Sequence, residues 1–409
     1  MLKLSRALLA LSLLFFSALQ AAEWQYEKTY GVIVGVLKWK DTSLSPFSDK
    51  LRKDRELHAL LGKRGAKNIR LLIDAQGTKK QIEAAIREAA AAAPADGTFF
   101  FYYAGHGIQI KGGAMIANAD IDSNREATGV SIKTIADLIA GNFKGKLVIL
   151  SGDFCYSGAL EQAMRIIAAK GKQVAVVASA TASNTSSGNW TFTQTFIDCI
   201  AGSPFCDRNG DGSILLSEVN AEVAEAMKYR ERQRNGFFLA GVDAGLKIAN
   251  SSGQKPANTG DYVIAPYEKR ANPARIIARN GNKVTAEFYF YSEKKSAALD
   301  AGQLKPFDFR STPAGSKVRV LWNGKSYEAQ VLKEEGGFHY ITYTGFGPEW
   351  NEWVMADRIV SADTVLIEWK GKWYPGRILK KDGAKTFVAY EGFGDEWNEW
   401  VPASRLKKP

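Results

Sequence analysis

The chain has 409 residues, 45% of them hydrophobic and 24% charged, which excludes a disordered chain and a polytopic membrane protein and suggests two or three domains. Its 54 basic and 43 acidic side chains leave a net charge of +11, yet the excess is spread along the chain rather than gathered into the basic stripe of a nucleic-acid groove. Three cysteines are too few to build a disulfide scaffold.

At the N-terminus, Lys3 and Arg6 precede an apolar run from Ala7 to Leu19, followed by Gln20, Ala21 and Ala22. This reads as a secretory signal peptide over 1–22, its thirteen-residue apolar run too short to span a bilayer, and it implies a secreted or periplasmic protein; an uncleaved anchor is the alternative. No later segment is long enough to cross a membrane.

Residues 30–249 alternate short β-branched or aromatic runs with amphipathic stretches. Strands are expected at Tyr30 to Val36, Asn68 to Asp74, Thr98 to Ala104, Lys146 to Gly152 and Val174 to Ala180, and helices near 48–62, 78–93, 131–141 and 158–170. The unbroken run Phe99-Phe100-Phe101-Tyr102-Tyr103 calls for burial on both faces, as in a doubly wound, mainly parallel sheet flanked by helices.

Ligands of such sheets collect at the carboxyl ends of strands, and two of these ends carry reactive groups. One strand runs into Ala104-Gly105-His106-Gly107, another into Ser151-Gly152-Asp153-Phe154-Cys155-Tyr156-Ser157-Gly158. If the strands are neighbours, about 4.8 Å apart, an imidazole stands beside a thiol, the pairing that turns a weakly ionised cysteine into a useful nucleophile. In an oxidising compartment the odd cysteine count suggests one pair and one leftover thiol. Cys199 and Cys206, separated by a turn-rich stretch, would be the disulfide and Cys155 the free thiol; three buried reduced thiols are the alternative.

Tyr102-Tyr103-Ala104-Gly105-His106-Gly107 and, some fifty residues on, Asp153-Phe154-Cys155-Tyr156-Ser157-Gly158 resemble the histidine and cysteine motifs of caspase-like cysteine peptidases, particularly the metacaspase branch. The resemblance covers roughly 28–249 and implies a caspase-like α/β fold acting on a protein or peptide substrate without an organic cofactor. By that resemblance Cys155 attacks a peptide carbonyl, His106 serves as base and then acid, and the N–H groups of Gly107 and Cys155 hold the oxyanion. It also implies that Asp153 and Asp54 line the pocket for the residue before the cut and favour Arg or Lys there, an exposed helix charge being the other reading of Asp54. Tyr156 stands where many metacaspases have histidine.

Asp207 to Glu218 fits a twelve-residue calcium loop, with Asp207, Asn209, Asp211, Ser213 and Glu218 as oxygen donors and Gly212 at position six. The alternative is a polar turn capping the helix that begins near Ser217.

The segment 250–260, rich in Ser, Asn, Gly and Pro, reads as a linker. Beyond it the chain repeats without gaps, Val318, Trp322, Gly324, Tyr327, Tyr343, Phe346, Trp350, Trp353 and Arg358 matching Val365, Trp369, Gly371, Tyr374, Tyr390, Phe393, Trp397, Trp400 and Arg405. Segments 313–360 and 363–407 resemble Tudor, chromo-barrel or SH3-like modules, and 261–307 is a weaker copy, so two or three small all-β barrels are expected. Trp350, Trp353, Trp397 and Trp400 are candidate binding aromatics for an unknown protein or peptide partner, or core residues. The combined reading is a secreted cysteine endopeptidase with docking modules; the alternatives are a catalytically weak peptide-binding scaffold and a calcium-dependent surface adhesin.

Overall fold

The computed structural model describes residues 22–268, 270–290, 293–307, 309–322, 325–360, 363–390 and 397–409. Residues 1–21 of the expected signal peptide, and Gly324 and Phe393 of the repeat, lie outside the described residues. Among the described residues no helix is long and apolar enough to cross a membrane.

Six strands form one sheet in the order Gly236–Ala240, Gln173–Ala178, Leu147–Asp153, Thr98–Ala104, Thr29–Gly35, Asn68–Ile73. The last five run parallel and the Gly236–Ala240 edge runs antiparallel. Side chains alternate across the central Thr98–Ala104 strand, so Phe99, Phe101 and Tyr103 enter the core on one face while Phe100 and Tyr102 enter the other. Helices Lys79–Ala92, Ile132–Asn142 and Leu160–Ala168 cover the first face; Asp54–Lys63, Thr191–Ala201 and Leu216–Glu231 cover the second. Two of these helices start on side-chain caps, Thr78 accepting from the Gln81 N–H and Ser131 from the Thr134 N–H.

The helix expected from residue 48 starts only at Asp54, because the preceding segment is spent as a loop against the sheet edge. The antiparallel edge strand and a short hairpin, Gly107–Ile110 with Gly113–Ile116, had no sequence signal, being runs of four or five residues with no clear alternation.

The C-terminal region is all-β. A four-stranded antiparallel sheet spans Tyr262–Asp300, and two five-stranded curled sheets span Lys317–Val360 and Thr364–Lys407. Each carries a register shift at the equivalent point of its second strand, between Ile276 and Ala278, Val331 and Lys333, and Ile378 and Lys380. The last two also repeat a polar triangle, Tyr343–Glu352–Arg358 and Tyr390–Glu399–Arg405. Where these have a fifth strand, the first copy has a single bridge between Ile264 and Lys305. That first copy is clamped to the α/β layer: Arg275 forks onto buried Glu222, Arg230 pairs with Glu287, and Tyr229 stacks on Tyr262.

Candidate active site

Strand register sets the site. Ala104 pairs with Asp153 at the ends of adjacent parallel strands, so His106 and Cys155, each two residues further on, leave the same edge of the sheet. A Cβ at Gly107 would stand 1.9 Å from the Cys155 carbonyl oxygen, so only glycine lets the two segments close on one another.

The His106 ring sits between Trp39 and Phe47, with centroids 4.4 and 4.5 Å away. Its Nε2 lies 2.9 Å from the Ser45 carbonyl oxygen. A carbonyl can only accept, so Nε2 carries the hydrogen and the neutral ring keeps Nδ1 as its basic atom. Burial pushes the His106 pKa below its ordinary value, with the Ser45 bond pulling the other way. The ring is therefore neutral at pH 7 and able to take a proton.

Cys155 is the free cysteine. The Ser186 N–H donates to Sγ at 3.3 Å, and Sγ lies 3.8 Å from the Ser186 carbonyl oxygen. Burial raises the thiol pKa, opposed by the backbone N–H groups of Ser186, Cys155 and Gly107. Among the described residues the thiol and imidazole engage Ser186 and Ser45 rather than each other. Such an arrangement suits a neutral pair whose proton moves as attack occurs, not a preformed ion pair. Tyr156, next in the chain, adopts left-handed backbone geometry (φ 64°) and is held by its N–H to the Asn184 carbonyl oxygen at 2.7 Å.

Beside the thiol is a narrow pocket lined by Leu37, Phe47, Asp153, Cys155, Ser186 and Trp190, among others. Asp153 accepts from the Thr193 hydroxyl at 2.7 Å, so Tyr102, 2.5 Å from that hydroxyl, must donate to it. Burial pushes the Asp153 carboxyl up to about 6 in spite of the Thr193 bonds.

Residues 54–241 match the family model of the caspase domain. Residues 54–241 thus form a caspase-like domain. Solved structures resemble the chain more remotely. They include a protein from Geobacter sulfurreducens (15% identity, 55% of this chain and 98% of that one, TM-score 0.38). Caspase-1 from Spodoptera frugiperda (14%, 57% and 94%, TM-score 0.38) and the Drosophila initiator caspase Dronc (10%, 58% and 90%, TM-score 0.35) are others. No curated protein matches the sequence.

Within the caspase domain, Asp54 does not join Asp153. It is fully buried at the start of its helix, and Arg52 forks onto it through Nε at 2.9 Å and Nη2 at 2.7 Å while also pairing with Asp74. Its charge is neutralised inside the fold and it does not line the pocket. The expected pair of pocket acids reduces to Asp153 alone.

Cys199 and Cys206 are joined in a disulfide with Cα atoms 5.3 Å apart. In the Asp207–Glu218 loop, Asp207 accepts from the Gly210 and Gly212 N–H groups and Glu218 from those of Arg208, Asn209 and Leu215. Asn209 donates to Asp211 at 2.9 Å, and the Ser213 N–H donates to Asp211 at 2.8 Å. These bonds build a capped turn, and among the described residues no three His, Cys, Asp or Glu side chains converge as metal ligands do.

The four tryptophans do not act as pairs. Trp350 stands in an exposed aromatic cluster, whereas Trp353 points away from it, packing on Tyr340 and lying under Arg234 of the caspase domain at 4.0 Å. In the last module Trp397 meets Trp369 edge-on, and Trp400 packs on Phe387. Trp350 closes the Pro348–Trp350 3-10 turn whereas Trp353 lies on the Glu352–Met355 strand that follows, and Trp397 likewise precedes the Glu399–Pro402 strand that carries Trp400.

Ser45, Trp39, Phe47 and Ser186 carry no sequence signal of their own. They belong to irregular segments, and Ser45 and Ser186 contribute backbone atoms that any residue possesses.

Proposed function

We propose that this protein is a cysteine endopeptidase that cleaves after Arg or Lys. The observation that carries the reading is the Ala104–Asp153 register, which brings His106 and Cys155 to one edge with Nε2–H committed to Ser45. Cys155 attacks the scissile carbonyl as its proton passes to His106. The Gly107 and Cys155 N–H groups stabilise the oxyanion; His106 then protonates the departing amine, and water hydrolyses the thioester with His106 as base.

Asp153 supports the basic preference. A pocket with apolar walls and one buried acid suits a side chain with an apolar stem and a charged tip. Fluorogenic peptides ending in Arg, Lys, Leu or Asp before the reporter test this. Turnover of the Arg and Lys peptides that disappears in Cys155→Ala is expected; equal rates for all four, or activity surviving in Cys155→Ala, would overturn it.

The raised thiol pKa favours one competing reading, a scaffold that grips peptides without turnover. Labelling of Cys155 by a peptidyl thiol-reactive group, with His106→Ala unlabelled, separates turnover machinery from mere grip.

Secretion is part of the proposal, and the Cys199–Cys206 disulfide supports it, since such bonds persist in oxidising compartments. So is Ca2+ at Asp207, Asn209, Asp211, Ser213 and Glu218, supported by the donor spacing and by Gly212 in left-handed geometry at position six (φ 87°). Binding there would exchange carboxylate bonds to backbone N–H groups for bonds to the ion. Calorimetric titration with CaCl2 giving heat in wild type and none in Asp207→Ala is the expected result.

A further inference from the structure

A second cavity, about 760 Å³, lies against the active site, its wall built jointly by the caspase domain and the two C-terminal modules. Two chain segments divide it from the substrate pocket. Cys155 lines the pocket and Tyr156 the cavity; Ser186 lines the pocket, Thr185 and Ser183 the cavity. Residues adjacent in the chain thus line the two sites, which places the cavity beside the pocket at Cys155.

At its far side is a box of four rings. Trp322 meets Tyr327 at 6.0 Å and 62°, Tyr327 meets Phe346 at 6.0 Å and 83°, Phe346 meets Trp350 at 6.0 Å and 66°, and Trp350 returns to Trp322 at 6.1 Å and 73°. Trp322, Phe346 and Trp350 remain 44–48% exposed, so the box is open rather than packed shut. Steeply inclined rings around an open centre offer π-faces to a cation. The cationic groups in the wall are already engaged, Arg358 by Glu352 and Lys407 over the Trp373 ring, while Glu349 is exposed and, among the described residues, has no ion pair.

The last module gives an independent indication. There the residues equivalent to Trp322 and Trp350 are Trp369 and Trp397, and each lies against a cation of this chain: Lys370 over Trp369 at 4.7 Å and Arg270 over Trp397 at 5.5 Å. Among the described residues no cation of the chain covers Trp322 or Trp350.

We infer that the Trp322–Tyr327–Phe346–Trp350 box is an exosite for a second Lys or Arg side chain of the substrate polypeptide, distant in sequence from the cleaved bond. This rests on the endopeptidase reading and deepens it, because tethering at the box raises the effective concentration of the scissile bond at Cys155.

The test uses the full chain and peptides carrying one Arg at the cut and, at increasing separations on either side, either Lys or uncharged norleucine. At the matching separation Lys should raise kcat/KM about tenfold over norleucine. The gain should vanish in Trp322→Ala and Trp350→Ala and survive in Trp400→Ala, while a short peptide lacking the second site is cut equally by all four proteins. Binding of the same peptides to Cys155→Ala, read by fluorescence anisotropy, reports the box without turnover. Equal affinity for Lys and norleucine at every separation, or a preference surviving both box substitutions, overturns the exosite. Loss of all hydrolysis with the Lys preference intact overturns only the peptidase reading.

Discussion

Asn184 and Trp353 are joined by two hydrogen bonds across the boundary between the caspase domain and the middle module. The Asn184 Nδ2 donates to the Trp353 carbonyl oxygen at 2.8 Å, and the Trp353 N–H donates to Asn184 Oδ1 at 3.2 Å. The same asparagine accepts from the Tyr156 N–H through its own carbonyl, so the module is coupled through one residue to the backbone beside Cys155. Arg234 to Glu335 and Arg232 to Asp357 brace the contact.

In the proposed peptidase Asn184 would act as a positioning residue. Asn184→Ala should lower kcat for short peptides about five- to thirtyfold, a loss of one to two partly buried hydrogen bonds, with little change in KM. Steady-state kinetics distinguish this from a purely structural role, in which kcat per active site, titrated with a thiol-reactive peptide, would be unchanged. An unaltered kcat per titrated site would remove the coupling from the account.

Activity should rise with pH on the acid side. Proton uptake by His106 requires the neutral ring, whose pKa lies below its ordinary value, and a basic substrate requires ionised Asp153, whose carboxyl titrates at about 6. The kcat/KM profile for an Arg peptide is expected to climb through about pH 6. In Asp153→Asn the limb should become shallower, because the Asp153 ionisation is removed and that of His106 remains. A limb of unchanged steepness contradicts the role of Asp153.

The same carboxyl predicts a stability effect of opposite sense. Its folded pKa is raised from 3.8 to about 6, so between those values the folded state holds more protons than the unfolded one, and stability falls as pH rises through this window. Above about pH 6 the ionised group costs about 3 kcal/mol relative to acid conditions. Asp153→Asn should gain stability relative to wild type between pH 3.5 and pH 7.5 while losing turnover of Arg peptides. Denaturant midpoints at the two pH values check this; a gain of equal size at both would rule out the ionisation as its cause.

Glu222 is only 2% exposed and is held by Arg275 and Arg208. Replacing it with Gln leaves Arg275 buried without its counter-charge, a loss of about 3–5 kcal/mol. The expected consequence is release of the first β module from the Leu216–Glu231 helix, visible as increased proteolysis in 250–310 before the caspase domain unfolds. Unchanged cleavage kinetics in that segment would show that the module is held by other contacts.

Reducing the Cys199–Cys206 disulfide opens a short loop and should cost about 2–3 kcal/mol on the chain-entropy model. Both cysteines are buried, so Cys155 should react first with a thiol reagent under native conditions and the pair only after unfolding in reductant. Mass mapping of the modified peptides is the check.

The sequence alone determined the features written in local periodicity and in repeated side-chain types. An aromatic run such as Phe99 to Tyr103 admits few fates besides a strand buried on both faces, and a gapless repeat with paired tryptophans can hardly be anything but duplicated β modules. His106 and Cys155 were legible because each ends a strand of this kind. What needed tertiary structure was every relation made through backbone atoms or across segments far apart in the chain. The Ser45 carbonyl that fixes the imidazole tautomer has no side-chain signature. Asp54 reads as an acid in either role until Arg52 is seen folded back onto it. Trp350 and Trp353 look like partners in sequence, yet Trp350 closes a 3-10 turn at an open aromatic box while Trp353 lies on the strand that follows, under Arg234, a separation fixed only when the sheets curl and dock.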